Sequence, residues 1–264
     1  MTSKTAIIVP TLGTRPKFLV EALKSIRSAG ECHILIVSPR TTELKSQIER
    51  SLWDQWLEDP MQGLPAAINA GVNSLPSSVE FFNWLGDDDT LAANSLSKSS
   101  AILEHNSTYV GLFGKCQYMN ENGEPIWMNK SGKFAVPLIR FGPQLIPQPG
   151  ALFRLSAFNH VGGLSLNYKL AFDLDLLIKL SRIGKLLYVP LHLASFRWHS
   201  SSLSVLGRKS SVREAKEIRR LALPKFLRPF SDIWEVPLSR LIYFAGMVIT
   251  RLDRLKSQME KEHR

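Results

Sequence analysis

Apolar residues follow two rhythms along the first two thirds of this chain, and the alternation between them predicts its architecture. Residues 5–9, Thr-Ala-Ile-Ile-Val, form a short β-branched run stopped by Pro10; after Pro16, Leu19, Ala22, Leu23 and Ile26 recur at helical spacing. That reads as strand, loop and helix. The pattern continues with a strand over 33–37, helices over 41–53 and 63–72, and a strand over 81–85. Residues 91–103 then read as a helix and 109–114 as a strand, and Asn122-Gly123 marks a tight turn. A Gly- and Pro-bounded loop over 142–150 precedes a strand over 151–154, a break at Gly162-Gly163, a helix over 171–183 and a strand over 186–189. Such alternation predicts an α/β fold, Rossmann-like, with a mostly parallel central sheet flanked by helices.

From about residue 210 the period is helical and basic, punctuated by Pro224, Pro229 and Pro237. The predicted organisation is a domain over 1–204 with a basic helical C-terminal extension over 205–264. The last predicted helix places Leu238, Leu241, Ile242, Ala245, Val248, Ile249 and Leu252 on one apolar stripe. Two uses of that stripe stay open: packing on its own domain or a partner subunit as a homodimer, or lying in the plane of a membrane surface.

The chain has 264 residues, 44% of them hydrophobic, enough to bury a substantial core. Its formal charge is +10, of which +7 falls in residues 205–264. The rest is near balance and carries no nucleic-acid-binding motif, so nucleic acid is not the expected partner. Cys32 and Cys116 show no metal-ligand or disulfide spacing and suit a reducing compartment. The opening residues lack a signal-peptide core, and no apolar run approaches the roughly 18 residues of a spanning helix. The expected location is cytoplasmic, with peripheral contact at the inner membrane face as the further option.

The sharpest chemical signal is the apolar strand that runs through Gly86 into Asp87-Asp88-Asp89. Two carboxylates about 4 Å apart repel by roughly 4 kcal/mol at an effective dielectric near 20, so an enclosed triplet calls for a cation. Oxygen ligands alone suit Mn²⁺ or Mg²⁺. The triplet also falls at the carboxyl end of a strand, where open α/β sheets bind ligands. An exposed acidic turn capping the next helix is the plainer alternative.

In order along residues 5–204, the segments resemble the family 2 inverting glycosyltransferases of the GT-A fold. Ile7-Ile8-Val9-Pro10-Thr11 is similar to the family's first strand and nucleotide-contacting turn. Residues 63–71, Gly-Leu-Pro-Ala-Ala-Ile-Asn-Ala-Gly, resemble its Gly-x-x-x-Ala-x-Asn-x-Gly helix, and Asp87-Asp88-Asp89 resembles its metal-binding Asp-x-Asp element. Residues 148–154, with Phe158, Gly162 and Gly163, resemble the segment shaping the acceptor side. Phe172-Asp173-Leu174-Asp175 is similar to its acidic helix start, and Arg197-Trp198-His199 to its closing Arg-x-His element.

The resemblance implies transfer of a sugar from a nucleotide-diphospho-sugar donor to a hydroxyl of a glycan or lipid-linked acceptor. It implies donor contacts from Pro10, Thr11, Gly63, Asn69, Asp87 and Asp88, metal ligands from Asp87, Asp89 and His199, and Asp173 as catalytic base. Asn69 reads equally as an ordinary helix-surface amide. Asp175 is two residues from Asp173 and points to another helix face. Two positions depart from the family's pattern: Ser38, with its neighbours, stands where an acid usually holds the nucleobase, and Phe172 replaces the first acid of a Glu-Asp pair. A sugar-nucleotide synthesising transferase would carry a Gly-rich, basic loop near its start, which this chain lacks. A non-catalytic nucleotide-sugar or partner-binding protein that keeps the fold is the alternative.

Overall fold

The structure, a computed structural model, describes residues 3–40, 43–129, 132–198 and 207–230, with 233, 234, 237, 238, 241 and 244; the statements below concern these. In the first half, β1 (Thr5–Pro10), α1 (Pro16–Ala29), β2 (His33–Ser38), α2 (Leu44–Gln47), β3 (Gln55–Glu58), α3 (Leu64–Asn73) and β4 (Phe81–Trp84) follow one another. β1 pairs in parallel with both β2 and β4, and β2 with β3. β1 is buried on both faces: Ile7 and Val9 pack with Ile34 and Ile36 beneath α1, while Ala6 and Ile8 pack with Leu35 and Val37 beneath α3. Burying each such Ile contributes roughly 1.5–3 kcal/mol. α3 approaches β1 at Gly71, where a methyl group would lie 2.9 Å from Ile8 Cγ2.

The second half comprises β5 (Thr90–Leu91), α4 (Ser95–Glu104), β6 (Tyr109–Met119), β7 (Pro125–Asn129), α5 (Ala135–Leu138), β8 (Ala151–Arg154), α6 (Leu155–His160), α7 (Phe172–Ile183), β9 (Lys185–Arg197) and α8 (Arg208–Ala222). The sheet order is β3-β2-β1-β4-β8-β6-β9-β5, with β7 paired to β6. The expected α/β fold with a central sheet flanked by helices is what the structure shows, and the sheet is mixed, not strictly parallel. β8 runs antiparallel to β4 and β6, β7 to β6, and β5 to β9. The β6–β7 pairing follows from the turn at Asn122-Gly123, where Gly123 N donates to Asn120 O and folds β7 back on β6.

Residues 41–53 were expected to be one helix, and the structure shows a different solution within the described part. Leu44, Ile48 and Leu52 are all buried at the spacing that suggested a helix. The chain buries them with the single turn α2, an extended Ile48 and a 3-10 turn over Arg50–Leu52. It then enters β3, a strand not expected from the sequence. The predicted helix over 91–103 starts only at Ser95, because Thr90 and Leu91 pair with Ser195 and Ala194 of β9. β9 itself runs far beyond residue 189, to Arg197. The helical reading near residue 210 corresponds to α8, which places Ile218 in the core beside α7. Ile242, Ala245, Val248, Ile249 and Leu252 of the apolar stripe lie outside the described residues. No described helix is long and apolar enough to cross a membrane.

Candidate active site

The carboxyl ends of β1 and β4 lie side by side, so the loops after them meet. Thr11, just past β1, donates its hydroxyl to Asp87 Oδ2 at 2.5 Å and accepts Gly13 N at 3.0 Å. Arg15, the residue before α1, reaches over the same acids: its Nη2 lies 2.7 Å from Asp87 Oδ1 and its Nη1 pairs with Asp88 Oδ2. Behind the triplet stands the end of β9. Arg197 N donates to Asp89 Oδ1 at 2.9 Å, and its Nε donates to the Asp88 carbonyl at 2.9 Å. The Arg197 guanidinium is 2% exposed, packs on the Phe18 ring and also reaches the Glu121 carbonyl and Glu21. It therefore clamps the turn.

Burial pushes the carboxyl pKa of Asp87 up against the opposing pull of Thr11 and Arg15. Burial and the neighbouring Asp88 charge push that of Asp89 well up. Burial leads both shifts, and the Asp88 charge adds to each. Among the described residues the Arg15 guanidinium contacts Asp87 and Asp88, and a divalent cation would add countercharge to the cluster. A methyl group on Gly86 would lie 3.0 Å from Asp88 Oδ1 and from Asp89 Oδ2, so these oxygens converge on a space that the glycine keeps open. The oxygen donor set and its charge fit Mn²⁺ or Mg²⁺. Among the described residues no three His, Cys, Asp or Glu side chains surround a common metal position, so phosphate and water oxygens would complete the shell. The converging pair is Asp88 with Asp89, whereas Asp87 faces Thr11 and Arg15. His199 lies outside the described residues.

Asp173 opens α7. Its Oδ2 accepts Gln144 Nε2 at 2.8 Å and its Oδ1 accepts Leu174 N at 2.8 Å. Burial raises its pKa, opposed by these two neutral hydrogen bonds. The loop over 142–150 ties the Asp173 side to the end of β4, just ahead of the triplet: Gln148 Nε2 donates to Asn83 Oδ1 and to the Trp84 carbonyl, both at 2.8 Å. Phe172, in place of an acid, is buried and packs 6.1 Å from Trp84. Asp175 pairs with Lys179 one turn along, at 2.7 Å. Ser38 is also buried and accepts the Trp56 indole N–H at 2.8 Å, so apolar packing and a neutral hydrogen bond occupy the two departing positions.

Asn69 gives both ends of its amide to Leu164: Nδ2 donates to Leu164 O at 2.8 Å and Oδ1 accepts Leu164 N at 3.0 Å. It thereby ties α3 to the Gly162-Gly163 turn, where both glycines have positive φ. Gly63, at φ 96°, caps the start of α3. Pro10 ends β1 opposite Val37. Sequence reasoning missed Arg15 and Gln144. A cation in the loop after the first strand, and an amide inside a loop already read as lying near a site, were the available signals.

No protein-family model matches the chain, and no curated protein matches its sequence. Solved structures do match its fold. S. aureus TarS superposes with a TM-score of 0.61 at 14% identity, over 86% of this chain and 41% of that protein. TarS 1-349 in complex with UDP-GlcNAc gives 0.62 at 16%, over 83% and 65% of the two chains. The mannosyltransferase PcManGT from Pyrobaculum calidifontis, in complex with GDP-Man and Mn²⁺, gives 0.64 at 13%, over 88% and 69%. This chain thus spans well under half the length of TarS and about two thirds of the shorter chains. Its mixed α/β fold, a central sheet flanked by helices, is the fold of these glycosyltransferase structures.

Proposed function

We propose that this chain is an inverting glycosyltransferase that moves a sugar from a nucleotide-diphospho-sugar donor to a hydroxyl of a glycan or lipid-linked acceptor. One observation carries the reading: the loop over 142–150 binds both the end of β4, which leads into the acidic triplet, and the buried carboxyl at the start of α7, Gln148 holding Asn83 and Trp84 of β4 and Gln144 holding Asp173. The fold shared with nucleotide-sugar complexes supports it.

In this reading Asp88 and Asp89, with His199 as a further ligand, hold Mn²⁺ or Mg²⁺, and Asp87 and Thr11 orient the donor together with Pro10, Gly63 and Asn69. A bound divalent ion would supply charge neutralisation on the departing diphosphate. Asp173 accepts the proton of the acceptor hydroxyl as that oxygen bonds to the anomeric carbon. The bond from that carbon to the diphosphate oxygen breaks, the nucleoside diphosphate leaves, and the configuration inverts. Gln144 holds the base on one oxygen. Burial raises the pKa of Asp173, which strengthens it as a proton acceptor.

Calorimetry with UDP, GDP and dTDP, with and without Mn²⁺, tests the proposal on the wild type and Asp89→Ala. Metal-dependent binding of one nucleotide, lost in the variant, is the expected result. Binding of none of them would discard the proposal and favour a non-catalytic protein, with Ser38 and Phe172 as marks of an abandoned site.

A further inference from the structure

Two arginines attend the acidic triplet, and their surroundings differ. Arg197 is fixed on all sides: its side chain is 2% exposed and engaged by two backbone carbonyls, Glu21 and the Phe18 ring. Arg15 approaches from the rim, with its side chain 33% exposed over carboxylates that are only 6% (Asp87) and 13% (Asp88) exposed. Its backbone is anchored, since its carbonyl accepts Leu19 N at 3.1 Å and Pro16 follows as the first residue of α1. The acids are thus held from below and the arginine head from above, so the group able to leave is the guanidinium.

We infer that Arg15 is an exchangeable cation of the donor site: its guanidinium spans Asp87 and Asp88 until a nucleoside diphosphate and its divalent ion bind, and then pairs with the diphosphate. The inference rests on the glycosyltransferase reading for the identity of that ligand. Three physical points support it. A guanidinium presents a planar fork that suits two carboxylate oxygens and two phosphate oxygens equally well, so the exchange conserves its hydrogen bonds. A divalent ion entering the space between Asp88 and Asp89 meets Arg15 on the other oxygen of Asp88, and like charges so close repel. An arriving diphosphate removes that conflict by offering the displaced guanidinium a new anion. Metal and nucleotide should therefore bind cooperatively, with Arg15 disfavouring the metal alone and favouring the pair.

The test measures two affinities on the full chain, for wild type, Arg15→Gln and Arg15→Lys. Mn²⁺ alone is followed through the electron-spin-resonance signal of the free ion, and UDP and GDP by calorimetry at saturating Mn²⁺. The expected result has opposite signs: Arg15→Gln binds Mn²⁺ alone about tenfold more tightly and the nucleotide at least tenfold more weakly, a tenfold change being about 1.4 kcal/mol. Arg15→Lys, a point charge without the fork, falls between, and it serves as the informative variant if Arg15→Gln does not fold. Affinities that fall together, Mn²⁺ binding unchanged by the substitution, or no Mn²⁺ binding by any of the three proteins, overturn the inference. If wild type binds Mn²⁺ but neither nucleotide, the glycosyltransferase reading fails and the pairing with diphosphate fails with it. Nucleotide binding that persists in wild type while Mn²⁺ affinity is indifferent to Arg15 overturns the inference alone.

Discussion

Asp87 and Asp89 are held by partners remote in sequence, the Thr11 hydroxyl and Arg15 guanidinium on Asp87 and the Arg197 backbone N–H on Asp89, whereas Asp173 is held by the Gln144 amide and the adjacent Leu174 N–H, both neutral. The triplet sits where β1, β4 and β9 end together, so its shape is set by the sheet. Asp173 sits at a helix start whose second support comes from a loop. A centre that must hold a fixed cluster of charge gains from rigid strands and countercharges. A base that must accept and release a proton gains from partners that leave its affinity for protons high. Burial raises the carboxyl pKa at both centres, so the difference that suits the two proposed roles lies in the partners: a guanidinium on Asp87, neutral donors on Asp173.

The strongest way to break that division is Asp173→Asn. If Asp173 is the base and has no part in donor binding, the variant loses about 10²- to 10⁴-fold in kcat while its metal-dependent nucleotide affinity stays at the wild-type value. Stability separates the roles further. A native pKa raised above the unfolded one means that the native state binds more protons between the two values. Stability is then fully present below the ordinary carboxylate pKa and declines as pH rises through the raised native value. Asn carries no such charge; its Oδ1 can still accept Leu174 N, and its Nδ2 can donate to Gln144 Oε1 once the Gln144 amide turns over. Thermal unfolding at pH 7 to 8 should therefore find the variant at least as stable as wild type, with the gap closing below about pH 4. A variant that loses nucleotide binding would show that the two centres are one.

Gln144→Ala sharpens the same contrast with a smaller effect. The Gln144 hydrogen bond favours the charged form of Asp173, so its loss moves the carboxyl pKa further up. Activity that needs a deprotonated base falls as pH falls through that pKa, so the acidic limb of the pH–rate profile should shift to higher pH. At neutral pH kcat should drop about tenfold, and KM for the donor should change little. An unchanged pH profile would leave Gln144 a loop contact only.

The parts legible in the sequence were those fixed by local pattern. Strands β1, β2 and β4 were visible because they are apolar on both faces. Helices α1, α3 and α7 showed through their spacing, and the ligand-facing end of the sheet through the acids that follow β4. Hidden features depended on pairing across distance. Nothing near Thr90 announces that it meets Ser195, and Gln55-Trp56-Leu57-Glu58 is too short and polar to declare itself a strand beside β2. Leu44, Ile48 and Leu52 kept helical spacing without a helix, because burial constrains position and two short turns satisfy it as well as one long helix. Arg15 escaped notice because a lone arginine in a loop acquires meaning only once β1 and β4 are neighbours.

α8 belongs to the stretch read as an extension, yet it touches the Asp173 side of the comparison through Glu214. Its carboxylate accepts Lys169 N at 3.2 Å and Leu170 N and Ala171 N at 2.9 Å, just ahead of the first turn of α7. These N–H groups precede the helix that carries the base, and a carboxylate there satisfies them and favours the positive end of the helix dipole. Glu214→Gln keeps the shape and one acceptor oxygen while removing the charge. A loss of about 1 kcal/mol is expected, read as a fall of roughly 2–4 °C in Tm. Because Gln144 and Leu174 hold the carboxyl independently, kcat should stay within about twofold of wild type. A tenfold fall in kcat at unchanged Tm would mean that α8 tunes the base directly, so that the catalytic unit extends past residue 204.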